Sequence, residues 1–392
     1  MADAPNVEQV REALTRVIDP ELGDNIVDLG MVRNVAVSAR GEATVTVALT
    51  VAGCPLRSQI DRDVRDRVAA LPGITAVDVE MGEMTRPERA ALMDRARRQA
   101  RERAPLTDIP ASARVVAIAS GKGGVGKSSV TVNLATAIAG RGFTVGVLDA
   151  DIWGFSVPRM LGLEGRIPAR DRKMVPLERH VGAGLLKVVS MGFLSNEDEA
   201  IMWRGLILNR ALQHFLEDVA WGALDYLLID MPPGTGDIQM GLARMLPRAE
   251  MVIVTTPALA AQKVAARAAD MARRGHLRVA GVIENMSAFV CDHGTSYPLF
   301  GVGGGERLAS EVGTTLLGSI PLDPEVVAGG DPGSPVVLSG SSESPVVAAF
   351  EAVAERMVTD VMPVVELAGC TARMLENVEA AVAAGSSPRA GK

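Results

Sequence analysis

Cysteine is scarce: three in 392 residues. Cys54, Cys291 and Cys370 lie far apart and are odd in number, which excludes a disulfide framework and any Cys-x-x-Cys zinc or thioredoxin motif. Long apolar runs are lacking too. None approaches the roughly 20 residues that a membrane-spanning helix requires, and the longest, around residues 251–261, fits a buried strand running into a helix. No basic segment followed by an apolar one opens the chain, so no secretory signal is expected and a cytoplasmic location is. Excess positive charge is also missing. A formal net charge of −7 and a pI near 5.4 argue against a dedicated nucleic-acid binder. One stretch departs from this balance, residues 86–103 with seven Arg against three acids, and it reads as a solvated helical linker.

What is present is a globular composition. The chain is 48% hydrophobic and 22% charged, which excludes a disordered protein, and its length favours two domains over one. Lysine usage is informative: 6 Lys stand against 34 Arg, and two of the six, Lys122 and Lys127, fall in one Gly-rich window. A chain that writes Arg almost everywhere uses lysine there for its compact ammonium head.

Residues 1–85 read as a small α/β domain, with a helix over 7–18, strands over 31–38 and 43–51, a helix from Leu56 and a strand near 74–79. Residues 86–110 form the charged linker. Residues 111–360 alternate apolar strands (115–119, 144–148, 185–189, 226–229, 251–255, 279–283, 315–320) with helical segments. Continuous apolar strands of this kind predict a mostly parallel sheet covered by helices on both faces. Residues 361–392 are a C-terminal tail.

The segment Gly121-Lys122-Gly123-Gly124-Val125-Gly126-Lys127-Ser128 matches the phosphate-binding pattern G-x-x-x-x-G-K-[ST] in full, between a predicted strand and a predicted helix. Its glycines let backbone N–H groups turn toward phosphate oxygens at a helix N-terminus. Lys127 is placed to reach the β- and γ-phosphates and Ser128 to ligate Mg²⁺. Leu227-Leu228-Ile229-Asp230 is a strand ending in an acid, which makes Asp230 a second Mg²⁺ group. Asp149 and Asp151 end another strand, and both carboxylates are expected at the phosphate edge. Asp149 joins the Mg²⁺ set and Asp151 orients the attacking water, with a helix or turn cap as the alternative for Asp151. Gly234, after Pro232-Pro233, reads as part of a switch loop. No Asn-Lys-x-Asp guanine-reading motif occurs, so the base is expected to be adenine and the nucleotide ATP.

With these residues in hand, the chain resembles the Mrp/ApbC family of iron–sulfur cluster carrier ATPases, within the deviant-Walker class that includes MinD, ParA and the nitrogenase iron protein. The resemblance spans nearly all of residues 1–360. It rests on GKGGVGKSSVTVNLA, LDADIWGFSVP, LLIDMPPGTGD, IENMSAF and IPLDPEV, and in the small domain on Asp19-Pro20-Glu21, Asp28-Leu29-Gly30 and Gly53-Cys54-Pro55. It implies a homodimer in which Lys122 crosses to the partner's nucleotide, an adenine contact from Asn285 (a cap or turn being the alternative), and dealings with iron–sulfur scaffolds and apo-protein clients.

The resemblance also implies a Cys-x-x-Cys pair whose two copies bridge a [4Fe–4S] cluster. Here Cys291-Asp292-His293-Gly294 keeps the first cysteine and replaces the second with glycine. His293 and Cys54 are candidate replacement ligands, since imidazole substitutes for thiolate in some clusters. Cys291 as a small packed residue, with no cluster bound, is the alternative. Three functions therefore stand: a cluster carrier driven by ATP; a MinD/ParA-like positioning ATPase; and a cluster-free, nucleotide-switched assembly scaffold. The positioning reading is disfavoured because residues 361–378 carry Arg373 as their one basic residue.

Overall fold

A computed structural model describes residues 5–364 except 20, 21, 23, 51–55, 103, 152, 153, 155, 194–204, 235, 292 and 342, and except the side chains of 205–208 and 237. The calls on Cys54 and Cys370, on the Pro20-Glu21 and Gly53-Cys54-Pro55 motifs and on the tail beyond 364 lie outside the described residues.

The small domain opens with the helix Val7–Leu14, started by a reciprocal cap in which Asn6 accepts from the Gln9 N–H and Gln9 accepts from the Asn6 N–H. Its three-stranded sheet runs Val32–Val37, Glu42–Leu49, Ala76–Glu83, the first pair antiparallel and the second parallel. A parallel pair needs a crossover, and the helix Arg57–Ala69 supplies it, burying Ile60, Val64 and Val68 at i+4 spacing. The Arg-rich stretch is a helix, Arg86–Glu102, solvated along most of its surface and packed along one side. Leu92 and Ala96, one turn apart, enter the small domain's core beside Val10, Leu14, Leu29 and Met31. Arg95 donates to the Leu29 carbonyl at 3.1 Å and Arg33 binds Glu88 at 2.6 Å, so charges flanking the apolar stripe fasten the helix down.

The larger domain holds a nine-stranded sheet among the described residues. From one edge the strands are Ser296–Tyr297, Arg278–Val290, Glu250–Thr255, Arg114–Ser120, Tyr226–Asp230, Thr144–Asp149, Gly184–Ser190 and Leu177–Val181, with Leu316–Leu322 also pairing Arg278–Val290. The pairings are parallel except at the two edges, where Leu177–Val181 and Ser296–Tyr297 run antiparallel to their neighbours. The helices Lys127–Gly140 and Pro345–Arg356 pack on one face, and Gly205–Glu217, Asp237–Met245, Leu259–Arg274 and Gly304–Glu311 on the other. Both faces are thereby dry, which is why the central strands read as unbroken apolar runs.

The domains touch. Arg97 donates to the His276 carbonyl at 3.2 Å, at the turn between Leu259–Arg274 and Arg278–Val290. The His276 ring bonds the backbone of Leu22, and its burial pushes the imidazole pKa below the ordinary value. Arg248 gathers the carbonyls of Ile109, Pro110 and Ala111 at 2.8–2.9 Å, pinning the connection to the larger domain.

Candidate nucleotide and cluster site

Register sets the chemistry. Asp230, the last residue of its strand, lies opposite Asp149 on one neighbour and Ile118 on the other, so two carboxylates meet at the carboxyl ends of the strands where the loop 121–128 begins. That edge is where parallel sheets bind ligands. The loop enters the helix Lys127–Gly140 through Gly126 at φ +78°, and a Cβ there would stand 2.3 Å from the Asn285 amide nitrogen. Glycine is required on both counts. At Gly123 and Gly124 a Cβ would meet nothing within 4 Å, so the cradle is open in front of the helix N-terminus.

Lys127 is buried and its Nζ lies 2.7 Å from Asp230 Oδ1 and 3.9 Å from Asp151 Oδ2. Ser128 donates to Asp230 Oδ2 at 2.6 Å. A hydroxyl and a carboxylate held together beside an open phosphate cradle form the hard oxygen set that Mg²⁺ prefers, so the residues fit that ion. Asp151 is buried at the rim. Lys122 is exposed, its side chain projecting from the loop while its carbonyl accepts from Ser120 Oγ at 3.0 Å.

Asp149 and Asn285 both make contacts within the chain. Asp149 Oδ1 accepts from the Asp151 N–H at 3.1 Å, and Oδ2 from Ser190 Oγ at 3.0 Å and the Val157 N–H at 3.3 Å. Full burial and, next, the Asp230 charge raise its pKa to about 7, with Lys127 opposing. Its contacts describe a carboxylate that shapes the turn carrying Asp151. Asn285 presses on the loop itself, its amide donating to the Val125 carbonyl at 2.9 Å. Thr131, missed in the sequence, also reaches the site: fully buried, it donates toward Asp230 Oδ1 at 2.8 Å. Its signal is a hydroxyl placed four residues after the loop lysine, on the same helix face.

The strand that carries Asn285 runs on to Cys291. Its ladder with Leu316–Leu322 breaks between Asn285 and Phe289, where Met286 takes φ +56°, and then resumes. Cys291, half-buried, opens a turn in which it bonds Thr295 and Gly294 through the backbone, and His293 is exposed. Gly294 sits at φ +77°, so the position where the family pattern has its second cysteine here has a backbone that side chains disfavour. Around the turn Val290, Tyr297, Leu299, Phe300 and Val302 form an exposed apolar patch, with the Phe289 and Tyr297 rings stacked at 6.4 Å. Among the described residues no single-chain group of three or more His, Cys, Asp or Glu side chains is arranged to hold a metal.

A parallel sheet with this loop and this strand-end acid defines a P-loop nucleotide-binding protein. The family model described as NUBPL iron-transfer P-loop NTPase matches residues 111–358, and the model described as iron-sulfur cluster assembly protein matches residues 7–81. The chain belongs to the iron-transfer P-loop NTPase family, with an iron–sulfur assembly domain at its N-terminal side. It is 48% identical over 344 residues to the iron-sulfur cluster carrier protein of Mycobacterium leprae, covering 86% of this chain and 88% of that one. It is 44% identical over 348 residues to the protein of the same name from Deinococcus radiodurans, covering 88% and 93%. Among solved structures it is similar to a nucleotide-binding protein from Archaeoglobus fulgidus in complex with ADP, at 35% identity and a TM-score of 0.48 over 60% of this chain and 91% of that chain. A DUF59 domain from Bacillus anthracis matches 22% of this chain and 89% of its own at 30% identity and a TM-score of 0.21.

Proposed function

We propose that this chain is a homodimeric, cytoplasmic ATPase that carries a labile iron–sulfur cluster and passes it to apo-proteins. The observation that carries the reading is one strand, Arg278–Val290, which touches the phosphate loop through Asn285 and ends beside Cys291. Lys127 binds the β- and γ-phosphates, and Ser128 and Asp230 hold Mg²⁺, which neutralises charge developing on the phosphates. Asp149 stands behind them, fixing the turn from which Asp151 orients water. Lys122, exposed and unhelical, reaches the partner's nucleotide. Asn285 shapes the loop next to the adenine side of the site.

One chain offers Cys291 and, next to it, His293. Two chains related by a two-fold axis bring two of each, and the apolar patch around the turn supports burial against a second copy. Mixed Cys/His ligation gives a cluster that is lost easily, which suits delivery better than electron transfer. The cluster-free scaffold is the second reading, and the glycine geometry at 294 favours it.

The test is anaerobic reconstitution with iron and sulfide, with iron and sulfide counted on the native and Cys291→Ala proteins, beside Mg²⁺-dependent ATP hydrolysis of the native and Lys127→Ala proteins. About one cluster per dimer at most is expected, and none on Cys291→Ala. Equal iron on both proteins rejects the carrier and leaves the scaffold. Unchanged ATP affinity in Lys127→Ala rejects the nucleotide site.

A further inference from the structure

We propose that Thr131 is a positioning residue of the nucleotide site: its buried hydroxyl holds Asp230 so that Oδ2 is presented to Ser128 and the metal. The inference rests on the reading of the site as an Mg²⁺–nucleotide site and adds to it a residue one helical turn behind the loop.

Thr131 lies inside the helix Lys127–Gly140 and is fully buried. Its Oγ1 stands 2.8 Å from Asp230 Oδ1 and 2.9 Å from the Lys127 carbonyl. A hydroxyl has one proton to give. The Lys127 carbonyl, four residues back, is the ordinary acceptor of the Thr131 backbone N–H in an α-helix. The ionised Asp230 makes the stronger, charge-assisted bond, so the proton goes to Oδ1.

Asp230 has two other donors here, Lys127 at 2.7 Å and Ser128 at 2.6 Å. Both belong to the phosphate loop, and both are the groups that nucleotide and metal recruit. Thr131 is different, because it sits a turn deeper, touches no open space and has no ligand to turn to. When Lys127 swings to phosphate, Thr131 is the donor that Asp230 keeps. That matters because Asp230 is itself fully buried and stands in register with the buried Asp149. A buried carboxylate oxygen without a donor would rotate in search of one, and that turns the other oxygen away from Ser128 and the metal. The two oxygens are thus assigned by the fold: Oδ1 faces the helix, and Oδ2 faces the loop serine.

The test compares Thr131→Val, which keeps the shape and loses the hydroxyl, with Thr131→Ser, which keeps the hydroxyl. Mn²⁺ binding to the protein–ADP complex is followed by electron paramagnetic resonance, and ADP binding in EDTA is measured separately. Thr131→Val is expected to weaken Mn²⁺ binding about 10-fold, the order found when the partner of a metal ligand is removed. Thr131→Ser is expected to match the native protein, and ADP affinity without metal to stay the same in all three. Native Mn²⁺ affinity in Thr131→Val, or equal weakening in Val and Ser, overturns the assignment. If Thr131→Val does not fold, Thr131→Ala against Thr131→Ser gives the same comparison. A native protein whose ADP binding shows no metal dependence rejects the parent reading instead, whatever the variants do.

Discussion

The side-chain amide of Asn285 donates to the carbonyl of Val125 at 2.9 Å, joining the strand that leads to Cys291 to the loop built for phosphates. The bond is buried and spans 160 residues of sequence. Asn285→Asp replaces the donor with a carboxylate facing a carbonyl, so the loop loses its brace and gains repulsion. ADP affinity is expected to fall about tenfold, the equivalent of one buried hydrogen bond left unmade. Titration with a fluorescent ADP analogue reads this directly. Unchanged affinity would show that the loop keeps its shape without the brace.

Lys122 is predicted to act across the dimer. Lys122→Ala and Asp151→Ala chains should each be inactive alone. Mixed at equal amounts they should recover about a quarter of native ATP hydrolysis, because half the dimers are hybrids and each hybrid has one complete site of two. No recovery in a mixture shown to contain hybrids would place Lys122 in its own chain's site.

His293→Ala is expected to lose reconstituted iron to a chelator several-fold faster than the native protein, with Cys291→Ala holding none. Gly294→Cys tests the departure from the family pattern. The left-handed backbone at 294 penalises any side chain by about 1–2 kcal/mol, so this variant should melt at a lower temperature while releasing iron more slowly. Release as fast as native would mean that the turn cannot aim a thiolate from that position.

Glu88 gives a prediction in pH. Hydrogen bonding from Arg33, then from the Thr85 backbone and side chain, lowers its pKa from 4.5 to about 2. A carboxyl whose folded pKa is depressed stabilises the fold above its unfolded pKa and loses that contribution as pH falls toward the folded one. Native protein should therefore melt above Glu88→Gln at pH 7, with the gap narrowing below pH 4.5 and closing near 2. The gap will be small, since both partners are in water. A constant gap across the range would remove Glu88 from the ion pair's account.

Much of this was legible in the chain. The phosphate loop, the Asp230 strand end and the parallel strands follow from local patterns: glycine spacing, unbroken apolar runs and helices between them. What was not legible depends on distant partners. The apolar stripe of Arg86–Glu102 is two residues, Leu92 and Ala96, among arginines that mask it. The role of Asp149 follows from register with Ser190, which no spacing in the sequence reveals. Asn285 meets Val125 because a strand end and a loop converge in space. The strand Leu177–Val181 alternates half-buried and exposed residues before the buried Val181, as an antiparallel edge does, and so escapes a search for continuous apolar runs.

The helix Arg86–Glu102 also changes how the two domains are to be cut apart. Its apolar stripe belongs to the small domain, and its Arg97 reaches the P-loop domain. A small domain ended at residue 85 would leave the side of its core covered by Leu92 open to water, and would be prone to aggregate. An excised P-loop domain that kept the helix would carry a greasy flap with nothing to close on. A cut after Glu102 keeps Leu92 and Ala96 with the core they cover, so the Arg-rich helix travels with the small domain as its lid.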